Sequence, residues 1–225
     1  AREFLKVLKN GEYEIKALDR EGLDVSDSHA VSEAVSYYRP DVVINCAAYN
    51  FVDKAEEDFE TAFRVNALSP KNLASACKKY DSLLIHYSTD YIFDGTKEDF
   101  YTEQDKPNPI NKYGKSKLEG EELLKGELDN FLLFRVSWVF GKGKQNFLYK
   151  LKEWAEKQKI IKVVSDQISV PTYTEDIVRF TILAIKEGLR GFYHLTNSGY
   201  ASRYEVARYF FERLGNNRLI LPVSS

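Results

Sequence analysis

Two short apolar runs leave this chain few ways to fold. Asp41-Val-Val-Ile-Asn-Cys46 and Ser82-Leu-Leu-Ile-His-Tyr87 are each rich in large or β-branched side chains. A strand with one wet face would alternate apolar and polar residues. Val42 to Ile44 and Leu83 to Ile85 do not, so both runs read as strands of a parallel sheet buried on both faces. Phe131 to Val139, which carries Arg135 and Ser137, reads as a further strand. Helical spacing fills the intervals. Ser28 to Tyr38 follows a cap at Ser26 or Asp27, Glu56 to Tyr80 is helical with a break at Pro70, and Tyr113 to Lys125 is helical. Residues 1–9 read as a helix that stops at Asn10-Gly11, and Tyr13 to Leu18 as a first strand. Later, the helices Phe147 to Gln158, Thr174 to Lys186 and Ser202 to Leu214 alternate with the strands Ile160 to Val164 and Gly191 to Leu195. Alternation at these lengths predicts an α/β fold, a doubly wound parallel sheet with right-handed crossovers. From about Gly141 the chain is richer in loops, carries Pro171, and is expected to hold a smaller lobe.

In such sheets ligands bind beyond the carboxyl ends of the strands, and polar residues gather there. Asp19 follows the first strand, Ala47-Ala48-Tyr49 the second and Ser88-Thr89-Asp90 the third; Ser137-Trp138 and Gln167 close later ones. The most informative pair is Tyr113 and Lys117, four residues apart and so on one face of a helix. A free phenol has a pKa of about 10 and is a poor acid or base at neutral pH. A neighbouring ammonium favours the phenolate by charge, and lowering the pKa by about three units takes roughly 4 kcal/mol. The expectation is a tyrosine made acidic by Lys117. A lysine-rich helix with a tyrosine packed beneath it has the same spacing, so the pair alone does not decide.

Ser88-Thr89-Asp90 also has two readings. A Thr89 hydroxyl there could bond a substrate carbonyl while Tyr113 protonates it, or the triplet is a turn held by short polar side chains. Pro70 has no N–H, so the carbonyl of Asn66 is expected to lose its helical partner and to hold a water or the Lys117 ammonium. The alternative is a kink without chemical role.

Composition removes other classes. With 32 basic and 34 acidic residues and a net charge of −2, the chain offers no field suited to a nucleic acid or an anionic membrane. No apolar run reaches the length of a membrane span. Cys46, in an apolar strand, and Cys77, in a helix, make no disulfide framework, which predicts a reduced cytoplasmic protein. His86 and His194 read as core residues in strands and His29 as a helix surface residue. None has metal-ligand spacing with a second His or Cys, so no metal site is expected from the residues. The chain has no Met, not even at its first position, and its native start is expected to lie upstream.

Several segments, in this order and over nearly the whole chain, resemble the extended short-chain dehydrogenase/reductase family. They are Asp-Val-Val-Ile-Asn-Cys-Ala-Ala (41–48), Val-Asn-Ala-Leu-Ser-Pro (65–70), Ser-Thr-Asp-Tyr-Ile-Phe-Asp-Gly (88–95), Tyr-Gly-Lys-Ser-Lys (113–117), Arg-Val-Ser-Trp-Val-Phe-Gly (135–141) and Asp-Gln-Ile-Ser-Val-Pro-Thr-Tyr (166–173). Within the family, residues 45–56 and 88–95 are similar to the pattern of the dTDP-4-dehydrorhamnose reductase subgroup. The resemblance implies a Rossmann-like fold. Residues 1–140 would be the NAD(P)-binding domain, and 141–225 mainly a substrate-binding lobe with some segments returning to that domain.

The resemblance also implies roles. Tyr113 is the proton donor, Lys117 its electrostatic partner and ribose ligand, and Thr89 the tuner of tyrosine and substrate oxygen. Asp24 and Val25 flank the adenine, and Ala48, Tyr49 and Asn50 line the cofactor. Trp138 stacks on the substrate with Val52 and Asp90 nearby, and Asn146 is a weaker substrate candidate. The implied reaction carries a hydride from NADPH or NADH to C4 of dTDP-4-dehydro-L-rhamnose, giving dTDP-L-rhamnose for surface polysaccharide. Asp19 could accept both ribose hydroxyls, favouring NADH, whereas Arg20 could pair with a 2′-phosphate, favouring NADPH; both stay open. Magnesium and a homodimer enter by resemblance alone.

Family members open with a strand and a Gly-x-x-Gly-x-x-Gly turn that holds the pyrophosphate at a helix N-terminus. Residues 1–225 hold neither, nor the stretch that usually follows Leu-Pro-Val (221–223), so truncation at both ends is expected. Two rivals stay open. A nucleotide-sugar dehydratase or epimerase is the nearer, although dehydratases of the family carry Thr-Asp-Glu where this chain has Thr89-Asp90-Tyr91. The other is a binding protein resembling the regulatory β-subunit of methionine adenosyltransferase.

Overall fold

Parallel neighbours need a crossover of a dozen or more residues, and the helical segments supply it. β1 (Val42–Asn45), β2 (Leu83–Thr89) and β3 (Phe131–Val136) lie side by side and parallel, with Gly191–His194 beyond β3 as a fourth strand. The structure, a computed structural model, describes residues 1–9, 11, 13–216 and 218–225. Ala1–Val136 with Ala184–His194 form one compact unit, and Ser137–Leu183 with Leu195–Ser225 form a second.

In the first unit the helices are α1 (Arg2–Leu8), α2 (Ser28–Tyr38), α3 (Val52–Ala55), α4 (Phe59–Phe63), α5 (Ser69–Tyr80) and α6 (Lys112–Glu127). Asp27 starts α2, its carboxylate accepting from the N–H groups of His29 and Ala30. Asn111 starts α6 by accepting from Gly114 N–H at 2.7 Å. α2, α5 and α6 bury Val31, Val35, Leu73, Cys77 and Leu124 against Leu84 and Leu133 of the sheet. Side chains alternate across a strand, so Tyr87, Phe134 and Tyr193 stand in register on the opposite face, with Phe4 of α1 against Tyr87. α6 comes unusually close to its neighbours. A Cβ on Gly114 would strike the Tyr91 carbonyl, and one on Gly120 the Asn66 carbonyl, so glycine is required at both.

The chain continues with β4 (Val139–Phe140), α7 (Phe147–Lys157), β5 (Ile160–Val164), β6 (Ile168–Ser169), β7 (Thr172–Tyr173), α8 (Thr174–Lys186), β8 (Gly191–His194, the fourth strand), β9 (Ala201–Ser202), α9 (Arg203–Arg213) and β10 (Leu219–Val223). In the second unit β5 pairs in parallel with β10, β4 in parallel with β7, and β6 antiparallel with β9. α7 and α9 pack Leu151, Ala155, Ala207 and Phe211 on Ile161 and Val163. A reciprocal cap between Ser202 and Glu205 opens α9.

Several expectations change. Tyr13 to Leu18 is not a strand: it has no ladder partner among the described residues, and Tyr13 and Leu18 are exposed. The stop expected at Asn10-Gly11 falls partly on Asn10, outside the described residues. Pro70 does not break a helix. It sits in the first turn of α5, where its missing N–H costs nothing, and the irregularity precedes it as a π turn over Arg64–Leu68. The run Phe131 to Val139 splits, because Trp138 adopts φ 34°, a conformation rare for a bulky residue, between β3 and β4. No element was expected at Leu-Pro-Val, which lies within β10; its two-stranded sheet leaves Pro222 on an edge. Cys46 lies just past β1 and is exposed; Cys77 is buried, which pushes its thiol up to about 12.

Candidate active site

β2 delivers polar residues to its carboxyl end. Thr89, its last residue, accepts from Tyr91 N–H at 3.3 Å and so starts the short 3₁₀ turn Asp90–Ile92. The turn reading of this triplet therefore holds, and the chemical one is compatible with it: the same hydroxyl, which donates to Asp90 Oδ1 at 3.3 Å, is close enough to the Tyr113 phenol to act on its titration. Tyr113, in the first turn of α6, is 7 % exposed. Its ring meets Tyr91 edge-on and packs with Ala55 and Ala62, against which Tyr49 and Val52 also lie. Its hydroxyl faces Asn50 Oδ1 at 3.5 Å, the limit of a hydrogen bond. Thr89, Asp90, Tyr49, Asn50, Val52 and Tyr113, far apart in sequence, thus meet beyond the ends of β1 and β2.

The phenol titrates against expectation. Burial pushes Tyr113 up to about 12, with the Asp90 charge and Tyr91 adding to the rise and Thr89 opposing it. Lys117 does not offset this rise, and its hydrogen bonds go elsewhere. Lys117 Nζ donates to Tyr87 O at 2.6 Å and lies 3.4 Å from His86 Nε2. The side chain is 1 % exposed, and burial lowers its pKa to about 8 against the pull of Glu121 one turn on. The Asn66 carbonyl proposed as its seat instead backs onto Gly120. Asn66 contributes through its side chain: Oδ1 accepts from Tyr49 N–H at 2.9 Å, and Nδ2 donates to Tyr49 O and to Ser116 Oγ, both at 3.0 Å. It clamps the peptide that leads into Asn50.

The other expected residues are placed as follows. Asp19 Oδ1 accepts from the Glu21 and Gly22 N–H groups, both at 3.1 Å, in a turn. Asp24 accepts from Ser26 N–H and Oγ, bonds that hold its carboxyl below the usual range. Val25 packs half-buried on the core beside Leu23, and Ala48 is half-buried after β1. In the second unit, the Trp138 ring stacks under the Arg203 guanidinium at 4.5 Å. Asn146 caps α7, accepting from Tyr149 N–H and donating to the Gly141 and Gly143 carbonyls, so its whole amide is engaged locally. Sequence reading missed the Asn45–His86 contact and the Asn66 clamp. The available signal was an Asn ending one apolar run and a His inside the next, but only strand register shows that they are opposite.

The donor set suits a dinucleotide. Whether amine or ammonium, Lys117 keeps an N–H beyond the one given to Tyr87 O, and Ser88 Oγ, nearby on β2, is buried without a partner. Both are groups for sugar hydroxyls. Among the described residues no group of three or more His, Cys, Asp or Glu is arranged to hold a metal ion, and no helix is long and apolar enough to cross a membrane.

Comparison with known proteins agrees with this geometry. The family described as the RmlD substrate binding domain matches residues 1–225. The spore coat polysaccharide biosynthesis protein SpsK of Bacillus subtilis is 35 % identical over 99 % of this chain and 78 % of its own length. A crystal structure of a dTDP-4-dehydrorhamnose reductase from Clostridium acetobutylicum superposes with a TM-score of 0.97 at 37 % identity, covering all of this chain and 80 % of that one. The dTDP-4-dehydrorhamnose reductase of Bacillus anthracis, solved in complex with NADP, gives 0.96 at 35 % identity with the same coverage. The match along the full length, the parallel sheet and the tyrosine, lysine and threonine at its carboxyl edge have one explanation: the chain belongs to the RmlD substrate-binding domain family of extended short-chain dehydrogenases/reductases.

Proposed function

We propose that this chain performs the NAD(P)H-dependent reduction of the C4 keto group of dTDP-4-dehydro-L-rhamnose to dTDP-L-rhamnose. The observation that carries the reading is the meeting of Thr89, Asn50 and Tyr113 at the sheet edge, with Lys117 one turn along α6. When bound, the dihydronicotinamide supplies a hydride to the sugar carbon. Tyr113, held protonated by burial, hands its proton to the oxygen that becomes the C4 hydroxyl. Thr89 orients that oxygen and the phenol, and Lys117 offers its remaining N–H to the ribose.

Residues 1–140 serve as the cofactor domain in this reading, with Asp19, Asp24, Val25, Ala48 and Tyr49 along the nucleotide. Residues 141–225 serve mainly as the substrate lobe, with Asn146 toward the sugar, joined by Trp138, Asp90 and Val52 from residues 1–140. In this reading the protein works in the cytoplasm as a homodimer, and light scattering checks the assembly by returning twice the mass of one chain. Against a dehydratase, Tyr91 stands where that chemistry uses a glutamate, and its ring packs on Tyr113. Incubating substrate without reductant distinguishes the two, since a reductase leaves it unchanged.

Steady-state oxidation of NADPH with dTDP-4-dehydro-L-rhamnose tests the proposal. Wild type turns over, and Tyr113→Phe loses about 10²–10⁴-fold in kcat while NADPH still binds. Undiminished turnover in Tyr113→Phe rejects the assignment.

A further inference from the structure

Asn45, His86 and Lys117 form a buried row in the first unit, each at most 5 % exposed. Its polarity can be read from one end. The Ala47 N–H, which can only donate, meets Asn45 Oδ1 at 3.0 Å. That fixes the amide, so Asn45 Nδ2 is the atom facing His86 Nδ1 at 3.1 Å. An amide NH₂ donates and does not accept, so Nδ1 is the lone-pair nitrogen. Burial and the nearby Lys117 hold the imidazole well below its ordinary pKa, hence neutral. A neutral imidazole with a bare Nδ1 carries its hydrogen on Nε2. Nε2 lies 3.4 Å from Lys117 Nζ. An ammonium has no lone pair, so against an Nε2–H it sets donor against donor. An amine accepts that hydrogen and still donates to Tyr87 O.

We propose that His86, oriented by Asn45, is a positioning residue that biases Lys117 toward its amine form, so that one backbone N–H sets the protonation of the lysine beside Tyr113 through two side chains. Only the consequence rests on the reductase reading. There the ammonium favours the Tyr113 phenolate left by proton transfer, and the bias sets the alkaline edge of turnover. Other groups around the row do not supply this bias. Glu121, one turn along α6, favours the ammonium and is itself paired with Arg135 of β3 at 2.7 Å. Asp90 and Tyr91, beyond β2, act on Tyr113 of the same helix. β1 meets the row with Asn45, and the π turn carries Asn66 beside it; neither is charged.

The chain has 3 histidines, so NMR of isotope-labelled histidine resolves His86, with His29→Gln and His194→Gln assigning the other two. The expected result is a neutral Nε2–H tautomer that does not titrate between about pH 5 and 9. An Nδ1–H tautomer or an imidazolium overturns the proposal. Asn45→Asp supplies the second arm. One carboxylate oxygen still accepts from Ala47 N–H, while the other now accepts from Nδ1–H and frees a lone pair on Nε2 for an ammonium. The tautomer should switch, and the alkaline limb of kcat/KM should move up by about one pH unit. A switched tautomer with an unmoved limb, in a protein that turns over, overturns the link to Lys117. Without reductase activity, a carbon-shift titration of Lys117 in both proteins reads the same link directly, so failure of this proposal and of the reductase reading remain separable.

Discussion

A buried phenol and a buried amine one turn apart are driven in opposite directions by the same cause. Burial lifts Tyr113 to about 12 and lowers Lys117 to about 8. At neutral pH the first effect suits a reductase, since the phenol holds the proton that it must deliver. The lysine shift also makes a prediction about stability. Between about 8 and 10.5 the folded chain releases the Lys117 proton while the unfolded chain keeps it, so the unfolded state binds more protons and stability rises with pH. The penalty for burying Lys117 is fully present below about 8 and gone above 10.5. Lys117→Met removes this group, so the wild-type urea midpoint should gain on that of the variant across this window. Parallel midpoints would show a lysine with no shift. Tyr113 has the opposite sign: its contribution is intact below 10 and is lost as pH rises toward about 12.

At the scale of elements, α6 carries the site because it sits close to its neighbours. Gly120→Ala must push the helix off the Asn66 carbonyl, and overpacking of this kind costs about 1–3 kcal/mol; urea denaturation should show a loss in that range. The same helix is tied to β3 by Glu121 and Arg135, both buried, at 2.7 Å. Glu121→Gln leaves that guanidinium without its counter-charge and should cost about 3–5 kcal/mol, whereas Glu121→Leu with Arg135→Met should cost much less. A double variant no better than the single one would mean that the ion pair stabilises the fold outright.

The sequence made part of this legible. A cap at Ser26 or Asp27 and the helical spacing placed α2, the apolar runs placed β1 and β2, the strand-like stretch from Phe131 placed β3, and the four-residue spacing put Tyr113 and Lys117 on one face. It could not give the direction of the Lys117 side chain, which depends on how α6 packs on β2, or the meeting of Asn45 with His86, which depends on register between strands about forty residues apart in the chain. Tyr13 to Leu18 has strand-like residues, but a strand exists only with a partner, and composition says nothing about that. Proline misled at Pro70, since its cost depends on whether its missing N–H was needed.

For the whole molecule, the two compact units have separate cores and separate reporters. Both tryptophans, Trp138 and Trp154, lie in the second unit, so intrinsic tryptophan fluorescence follows that unit. The residues proposed for the cofactor lie in the first. Leu151, fully buried between α7 and its sheet, is the cleanest place to separate stability from binding. Leu151→Ala removes core volume and should cost about 2–5 kcal/mol, read as an earlier fluorescence transition in urea. In the folded protein its NADPH dissociation constant should stay within about twofold of wild type, because its core shares no residue with those proposed for the nucleotide. Leu84→Ala removes similar volume within β2, whose end carries Thr89, and should weaken NADPH binding as well as stability. If Leu151→Ala lost cofactor affinity while still folded, and Leu84→Ala did not, the nucleotide would have to be held by the second unit. The assignment of Asn50, Tyr113 and Lys117 to the cofactor would then fall.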